Sequence, residues 1–247
     1  MSEIVVIGLG QLGRVFAGGL LRAGHTVVPL NRGDDMAALA QAHPAPALVL
    51  VAVAENDLHA VLAALPEVWK PRAALIQNEL LPRDWQAHGY SEPTVISVWF
   101  EKKKGIDAKP LIASPVAGSG AALLCRALAA IELPCREVAL GDELLFELVR
   151  KNVYILTTNL AGLKTGGTVS QLWTQHEAFA RQVANEVIDI QDALTAAPLV
   201  IAQHPVRATR SRLADRRHAR SLRRRPRSRL HRTRCAGAAG TRNRARG

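Results

Sequence analysis

Apolar residues fall in short, nearly unbroken runs over the first 140 positions and at intervals of three and four afterwards. The runs EIVVI (3–7), HTVVPLN (25–31), ALVLVAV (47–53), AALIQN (73–78) and TVISVWF (94–100) read as five buried strands. Between them, Gln11 to Ala23 carries Val15, Phe16, Leu20 and Leu21 at helical spacing, a short helix is expected at 35–42, and Asn56 and Asp57 can cap a helix running to Leu65. SPVAGSGAALLCRALAAIEL reads as a further helix and CREVAL as a closing strand. Strands without alternation, separated by helices, imply a parallel sheet covered on both faces. After Gly141 the period changes: Val149, Val153, Leu156, Leu160 and Leu163 recur at three and four, so helices are expected from Asp142 to about Ala197. The predicted fold is α/β: an N-terminal Rossmann-like parallel sheet over 1–141, then a smaller all-helical domain over 142–198.

The remaining 199–247 has almost no apolar period and cannot bury a core. Its charge changes the reading of the whole chain. Residues 201–247 hold 16 Arg, no Lys and one acid, Asp215, a net +15. The chain total is +11, so +11 less +15 leaves −4 for the first 200 residues. The basicity therefore belongs to a tail expected to be disordered. One reading of the tail is a nucleic-acid arm, since arginines release counterions from phosphate. Against it, the tail lacks lysine, and no Phe, Tyr or Trp for base stacking follows Phe179. Arginine without lysine, behind a body rich in Ala, Gly and Leu, is what out-of-frame translation of a GC-rich gene produces, and this is the favoured reading. A nucleic-acid partner is not expected.

Other features bound the function class. No apolar run reaches the roughly 18 residues of a membrane span. The N-terminus, with Glu3 and no basic region, is not a signal peptide. Cys125, Cys135 and Cys235 lack C-x-x-C spacing, which suits the cytoplasm and gives no zinc site. His25 and His59 have no metal-spaced partner in sequence, and His176-Glu177 does not extend to H-E-x-x-H because position 180 is Ala. Ser114, Ser119 and Ser170 lack a His/Asp grouping, and Ser170 reads as a helix cap. Lys102, Lys103 and Lys104 read as a solvated loop able to steer an anion. Trp69, Trp85, Trp99 and Trp173 read as packing residues.

The chemistry-bearing signal lies in VVIGLGQLG (5–13). A lone G-x-G-x-x-G says little, but here a strand precedes it, a helix follows, and a second strand lies at the right distance. Gly8 turns the chain off the strand, Gly10 lets the backbone approach a pyrophosphate, and Gly13 lets the helix pack close. Gly8, Leu9, Gly10, Gln11, Leu12 and Gly13 would thus present a helix N-terminus to phosphates. An acidic residue ending the second strand would bind the ribose 2′-hydroxyl of NAD. This chain has Asn31-Arg32, and Arg32 can pair with a 2′-phosphate, so NADP(H) is the expected cofactor.

Several motifs in order resemble those of the ketopantoate reductase family: VVIGLGQLG with the NRG turn, ALVLVAVAEND, LIQNELL and RKNVYILTTNLAGL, over roughly residues 3–195. The resemblance implies a cytoplasmic NADPH-dependent reductase of a 2-keto acid, with a Rossmann domain and a helical domain. It implies Lys151 as general acid, Asn159 as a substrate hydrogen-bonder two turns further along the same helix face, and Asn78 near the nicotinamide ribose. Such roles suit the reaction, which develops negative charge on a carbonyl oxygen. The chain departs from the family at Ile155, where a second asparagine is usual, at Ala54, where a lysine often follows the third strand, and at Glu79, where the Gln-Asn-Gly glycine stands. The family's late serine and acidic residue have no counterpart, since the Arg-rich tail occupies their place. A related 2-keto acid or another carbonyl substrate therefore stays open, as does a non-catalytic NADP-binding protein or an inactive remnant. A shortened helical domain would also leave apolar surface uncovered, favouring poor solubility or a homodimer.

Overall fold

A computed structural model describes residues 1–195, so the basic tail and its readings lie outside the described residues. The described residues lie in one compact unit. The chain opens with β1 (Glu3–Ile7), α1 (Gln11–Arg22), β2 (Thr26–Leu30), α2 (Met36–Ala42), β3 (Leu48–Val51), α3 (Glu55–Ala64), β4 (Ala73–Leu75), α4 (Pro82–Gln86) and β5 (Thr94–Ile96). It continues with β6 (Phe100–Glu101), β7 (Lys109–Pro110), β8 (Ser114–Ala117), α5 (Ala121–Ala129) and β9 (Cys135–Glu137). Three helices follow: α6 (Asp142–Thr165), α7 (Val169–Gln175) and α8 (Glu177–Thr195).

The main sheet has the order β2-β1-β3-β4-β5-β8-β9. β1 pairs in parallel with β2 and β3, β3 with β4, and β4 with β5. One apolar cluster beneath the sheet includes Val5, Val49, Leu75 and Trp69; the other includes Ile4, Phe16, Leu50 and Leu124. Burial on both faces explains why these strands read as continuous apolar runs. Each fully buried Val, Leu or Phe contributes roughly 1.5–3 kcal/mol of transfer free energy. α1 turns Gly13, Phe16, Ala17 and Leu20 toward this core, the spacing of one helix face. The α/β architecture with a Rossmann-like sheet followed by helices is the one the hydrophobic pattern implies.

Five details differ from that pattern. The sheet is not wholly parallel: β8 runs antiparallel to β5, and β9 runs parallel to β8. The link from β5 to β8 holds only the β6–β7 hairpin, and without a crossover helix the chain returns in the opposite direction. SPVAGSG belongs not to a helix but to β8 and its turn, because Gly118 adopts φ +102° against the backbone of Thr94 and the helix starts only at Ala121. The fifth run breaks after Ile96, and Phe100–Glu101 joins the hairpin whose turn carries Lys102, Lys103 and Lys104. The N-cap of α3 is Ala54, which puts Asn56 and Asp57 inside its first turn. Ser170 likewise lies inside α7, which Thr168 caps by accepting from the Gln171 N–H while the Gln171 side chain accepts from the Thr168 N–H.

The helices pack through Val149, Val153 and Val187 and through a buried bond from Asn152 Nδ2 to Gln191 Oε1, 3.1 Å. The apolar stripe of α6 outruns its cover. Leu160 and Leu163 are 50% and 85% exposed, and Val169 and Ile190 are exposed as well. No helix among the described residues is long and apolar enough to cross a membrane.

Candidate active site

Parallel strands end at one edge of the sheet, and the strand order decides what meets there. Reading across β2, β1, β3 and β4, the carboxyl ends present Asn31-Arg32, the glycine turn, Ala54-Glu55 and Gln77-Asn78 side by side. Gly8 has φ +90°, and a Cβ there would press on Ala52 O at 3.0 Å. A Cβ on Gly13 would lie 2.0 Å from Gly8 O, so only glycine lets α1 start this close to the strand. A Cβ on Gly10 would meet nothing within 4 Å. Gly10 is also the N-cap of α1, with no side chain to accept from the first-turn N–H groups of Gln11, Leu12 and Gly13. Tight packing below and open space above is the arrangement that a pyrophosphate needs. These residues fit a dinucleotide.

Asn78 Nδ2 donates to Glu55 Oε1 at 3.1 Å, joining the loops after β4 and β3. Its neighbour Gln77 is buried; Nε2 donates to Val51 O at 2.8 Å and Val53 O at 3.2 Å, and Oε1 accepts from the Ile76 N–H. Gln77 thus clasps the two strand ends, a role its polarity in an apolar run could have signalled. Glu79 adopts φ +58°, the left-handed conformation in which a glycine is at ease. Arg32 is not free of acids: its NH2 pairs with Asp57 Oδ2 at 2.9 Å, while Asp34 instead accepts from the Asn31 N–H at 2.7 Å.

Three strand spacings from the glycine turn, about 15 Å, the chain leaving β5 meets α6. Lys151, half-buried, donates from Nζ to Val98 O and stands 5.0 Å from the Trp99 ring centroid. Burial lowers its pKa from 10.5 to about 8. Lys151 is therefore not a solvated surface lysine. Arg150 lies 5.1 Å from the same Trp99 ring, and its NH2 holds Glu147 Oε2 at 2.7 Å. Glu147, buried, also pairs with Arg136; burial pushes its carboxyl up, and the two arginines oppose that rise. Tyr154, one turn from Lys151, tilts against Trp99 at 5.2 Å, and burial raises its phenol. Trp99 is thus more than packing, as it carries two cations and a tyrosine. No sequence signal marked it, since Trp99 lies inside the apolar run TVISVWF, and only the structure ends β5 at Ile96.

Asn159 is exposed, eight residues or about 12 Å along α6 from Lys151. It lines a groove of about 430 Å³ with Thr158, Gly162, Gly166 and Leu172, between α6 and α7. No hydrogen bond among the described residues joins it to Lys151. Ile155, between them, is half-buried. Ser114 Oγ accepts from the Trp99 N–H at 2.9 Å, a structural bond. His59, unpartnered in sequence, meets His88 in space at 3.0 Å between Nδ1 and Nε2. No group of three or more His, Cys, Asp or Glu among the described residues could hold a metal ion.

No protein-family model matches the sequence, and neither does any curated protein. Solved structures do match. The 2-dehydropantoate 2-reductase from Methylococcus capsulatus aligns with TM-score 0.60 at 17% identity, covering 85% of this chain and 79% of its own. A dimeric ketopantoate reductase from Staphylococcus aureus gives 0.59 at 16%, covering 84% of each. This is the fold of the ketopantoate reductases. D-mandelate dehydrogenase, solved with NADH, shares it at 0.57 and 13% identity, covering 84% of this chain and 78% of its own. At such identities the likeness establishes the fold.

Proposed function

We propose that the chain is an NADPH-dependent reductase of a small 2-keto acid, with Lys151 as proton donor. One observation carries this reading. A half-buried lysine with its pKa drawn down to about 8 stands at the carboxyl edge of the sheet, on the edge that bears the glycine turn. The solved ketopantoate reductases and the NADH-bound D-mandelate dehydrogenase support a nicotinamide cofactor. Arg32 argues for the 2′-phosphate of NADP(H).

Within this reading, residues 1–141 hold the cofactor. Gly8 turns the chain while its own N–H is held by Leu30 O, so that Leu9, Gly10, Gln11, Leu12 and Gly13 would offer backbone N–H groups to the pyrophosphate; Asn31 and Arg32 would hold the adenosine ribose, and Asn78 would lie beside the other ribose. The bound nicotinamide would supply a hydride to the substrate's carbonyl carbon. Lys151 does the rest: its ammonium faces the carbonyl oxygen, steadies the charge that grows there, and passes one proton to it. A lysine with a pKa near the working pH loses and regains that proton readily. Val98 O and the Trp99 face hold Nζ in place. Helices α6 to α8 would shape the substrate end, and Asn159, exposed about 12 Å along α6 from Lys151, would meet the acid only at its far end. The protein would work in the cytoplasm. The exposed Leu160, Leu163 and Ile190 favour a homodimer, as in the dimeric Staphylococcus aureus reductase.

Ile155 favours a second reading, a nicotinamide-binding protein that does not turn over, since an apolar side chain stands one turn from Lys151 where a hydrogen bond to substrate is expected. Oxidation of NADPH in the presence of a panel of 2-keto acids separates the two. The reductase reading predicts turnover of at least one acid, and loss of turnover in Lys151→Ala with NADPH affinity retained. Binding without turnover across the panel would favour the second reading, and equal loss of NADPH affinity in Lys151→Ala would remove Lys151 from the chemistry.

A further inference from the structure

We infer that Asp57 sets which dinucleotide the glycine turn prefers, by competing with the ribose substituent for Arg32. The inference rests on the proposed nucleotide site and adds a discriminating residue to it. Arg32 follows β2 and Asp57 lies in the first turn of α3, after β3. β1 lies between those strands, so the 2.9 Å bond from Arg32 NH2 to Asp57 Oδ2 passes across the carboxyl end of β1, where the glycine turn begins. An adenosine ribose seated against that turn meets both side chains. The two carboxylates of the loop after β2 are otherwise engaged, Asp34 accepting from the Asn31 N–H and Asp35 capping α2 through the Ala38 N–H, which leaves Arg32 to Asp57.

The two cofactors treat this pair differently. A ribose 2′-hydroxyl can donate to the Asp57 carboxylate without disturbing its bond to Arg32. A 2′-phosphate brings nearly two negative charges, must draw Arg32 away from Asp57, and is repelled by the carboxylate left behind. Asp57 thus penalises NADPH and spares NADH. Both side chains are exposed, 88% for Arg32 and 45% for Asp57, so the competition is screened and the penalty modest. Removing the carboxylate should raise the preference for NADPH over NADH by about three- to tenfold, the range of an exposed pair plus the repulsion it exerts.

The test measures dissociation constants for NADPH and NADH at fixed ionic strength on the full chain, on Asp57→Asn, on Arg32→Ala and on the double variant. Asp57→Ser guards against a variant that fails to fold. The expected result is a rise in NADPH preference in both Asp57 variants that becomes clearly smaller when Arg32 is absent, because only the direct action of the carboxylate on the ribose substituent then remains. An unchanged preference in Asp57→Asn and Asp57→Ser, or the same rise without Arg32, overturns the role of Asp57 while leaving the nucleotide site intact. A native chain that binds neither dinucleotide overturns the site and the inference together.

Discussion

Replacing Lys151 by Met separates the cost of burying its charge from its chemistry. The drop in pKa from 10.5 to about 8 means that folding disfavours the ammonium. At roughly 1.36 kcal/mol per pKa unit the penalty is about 3 kcal/mol. Half-burial and the contacts with Val98 O and Trp99 reduce it, and a net value of about 1–3 kcal/mol is expected. The sign follows from proton counts. Below about pH 8 both the folded and unfolded chains carry the proton, and the penalty is fully present. Between about pH 8 and 10.5 the unfolded chain holds more protons, so stability rises with pH through that window. Above it both forms are neutral and the penalty is gone. Met keeps the apolar stem and discards the charge. Lys151→Met should therefore be more stable than the native chain by about 1–3 kcal/mol at pH 7, with the difference fading toward pH 10.5, while turnover is abolished. Urea unfolding of both proteins at pH 7, 8, 9 and 10 reads this directly, since other titrating groups cancel in the difference. A stability difference that stays constant across that range would refute the claim that Lys151 is a charge held at a cost.

Glu79→Gly should stabilise the fold by about 1 kcal/mol, because φ +58° strains a side-chain-bearing residue; a lower unfolding midpoint would contradict that. Gly13→Ala should cost more than about 2 kcal/mol and weaken NADPH binding at least tenfold, since its Cβ would stand 2.0 Å from Gly8 O; thermal melts and a binding titration check both. Cys125 and Cys135 stand 2.7 Å apart between their sulfurs, and burial raises both thiols. In a Cys235→Ser background they should alkylate with iodoacetamide far more slowly at pH 7.5 than an exposed model thiol. Labelling at the model rate would show the pair to be open.

The parts of this molecule that follow from local pattern were legible in the sequence. The turn at Gly8–Gly13 announces itself by spacing, since the strand before it, the helix after it and the glycines between are all short-range requirements. What escaped is what the sheet brings together from afar. Arg32 and Asp57 are 25 residues apart, and Lys151 meets Val98 across 53; no local period encodes either contact. SPVAGSG was not legible as a strand, because only its first four residues pair, the fifth, Gly118, is already in the turn, and its partner, β5, runs the other way. Leu160 and Leu163 continue the α6 period faithfully, yet burial depends on a partner surface and not on the period. Trp99 reads as any buried tryptophan until α6 lays Lys151 and Arg150 on its ring.

In the proposed mechanism Lys151 is the proton donor for carbonyl reduction. Steady-state oxidation of NADPH with a 2-keto acid, measured from pH 6 to 10 in the native chain and in Lys151→Ala, tests it most directly. Turnover should fall as pH rises through about 8 in the native chain and be lower by at least a hundredfold in the variant, with NADPH still bound. Turnover in Lys151→Ala equal to that of the native chain, with the same pH profile, would contradict it.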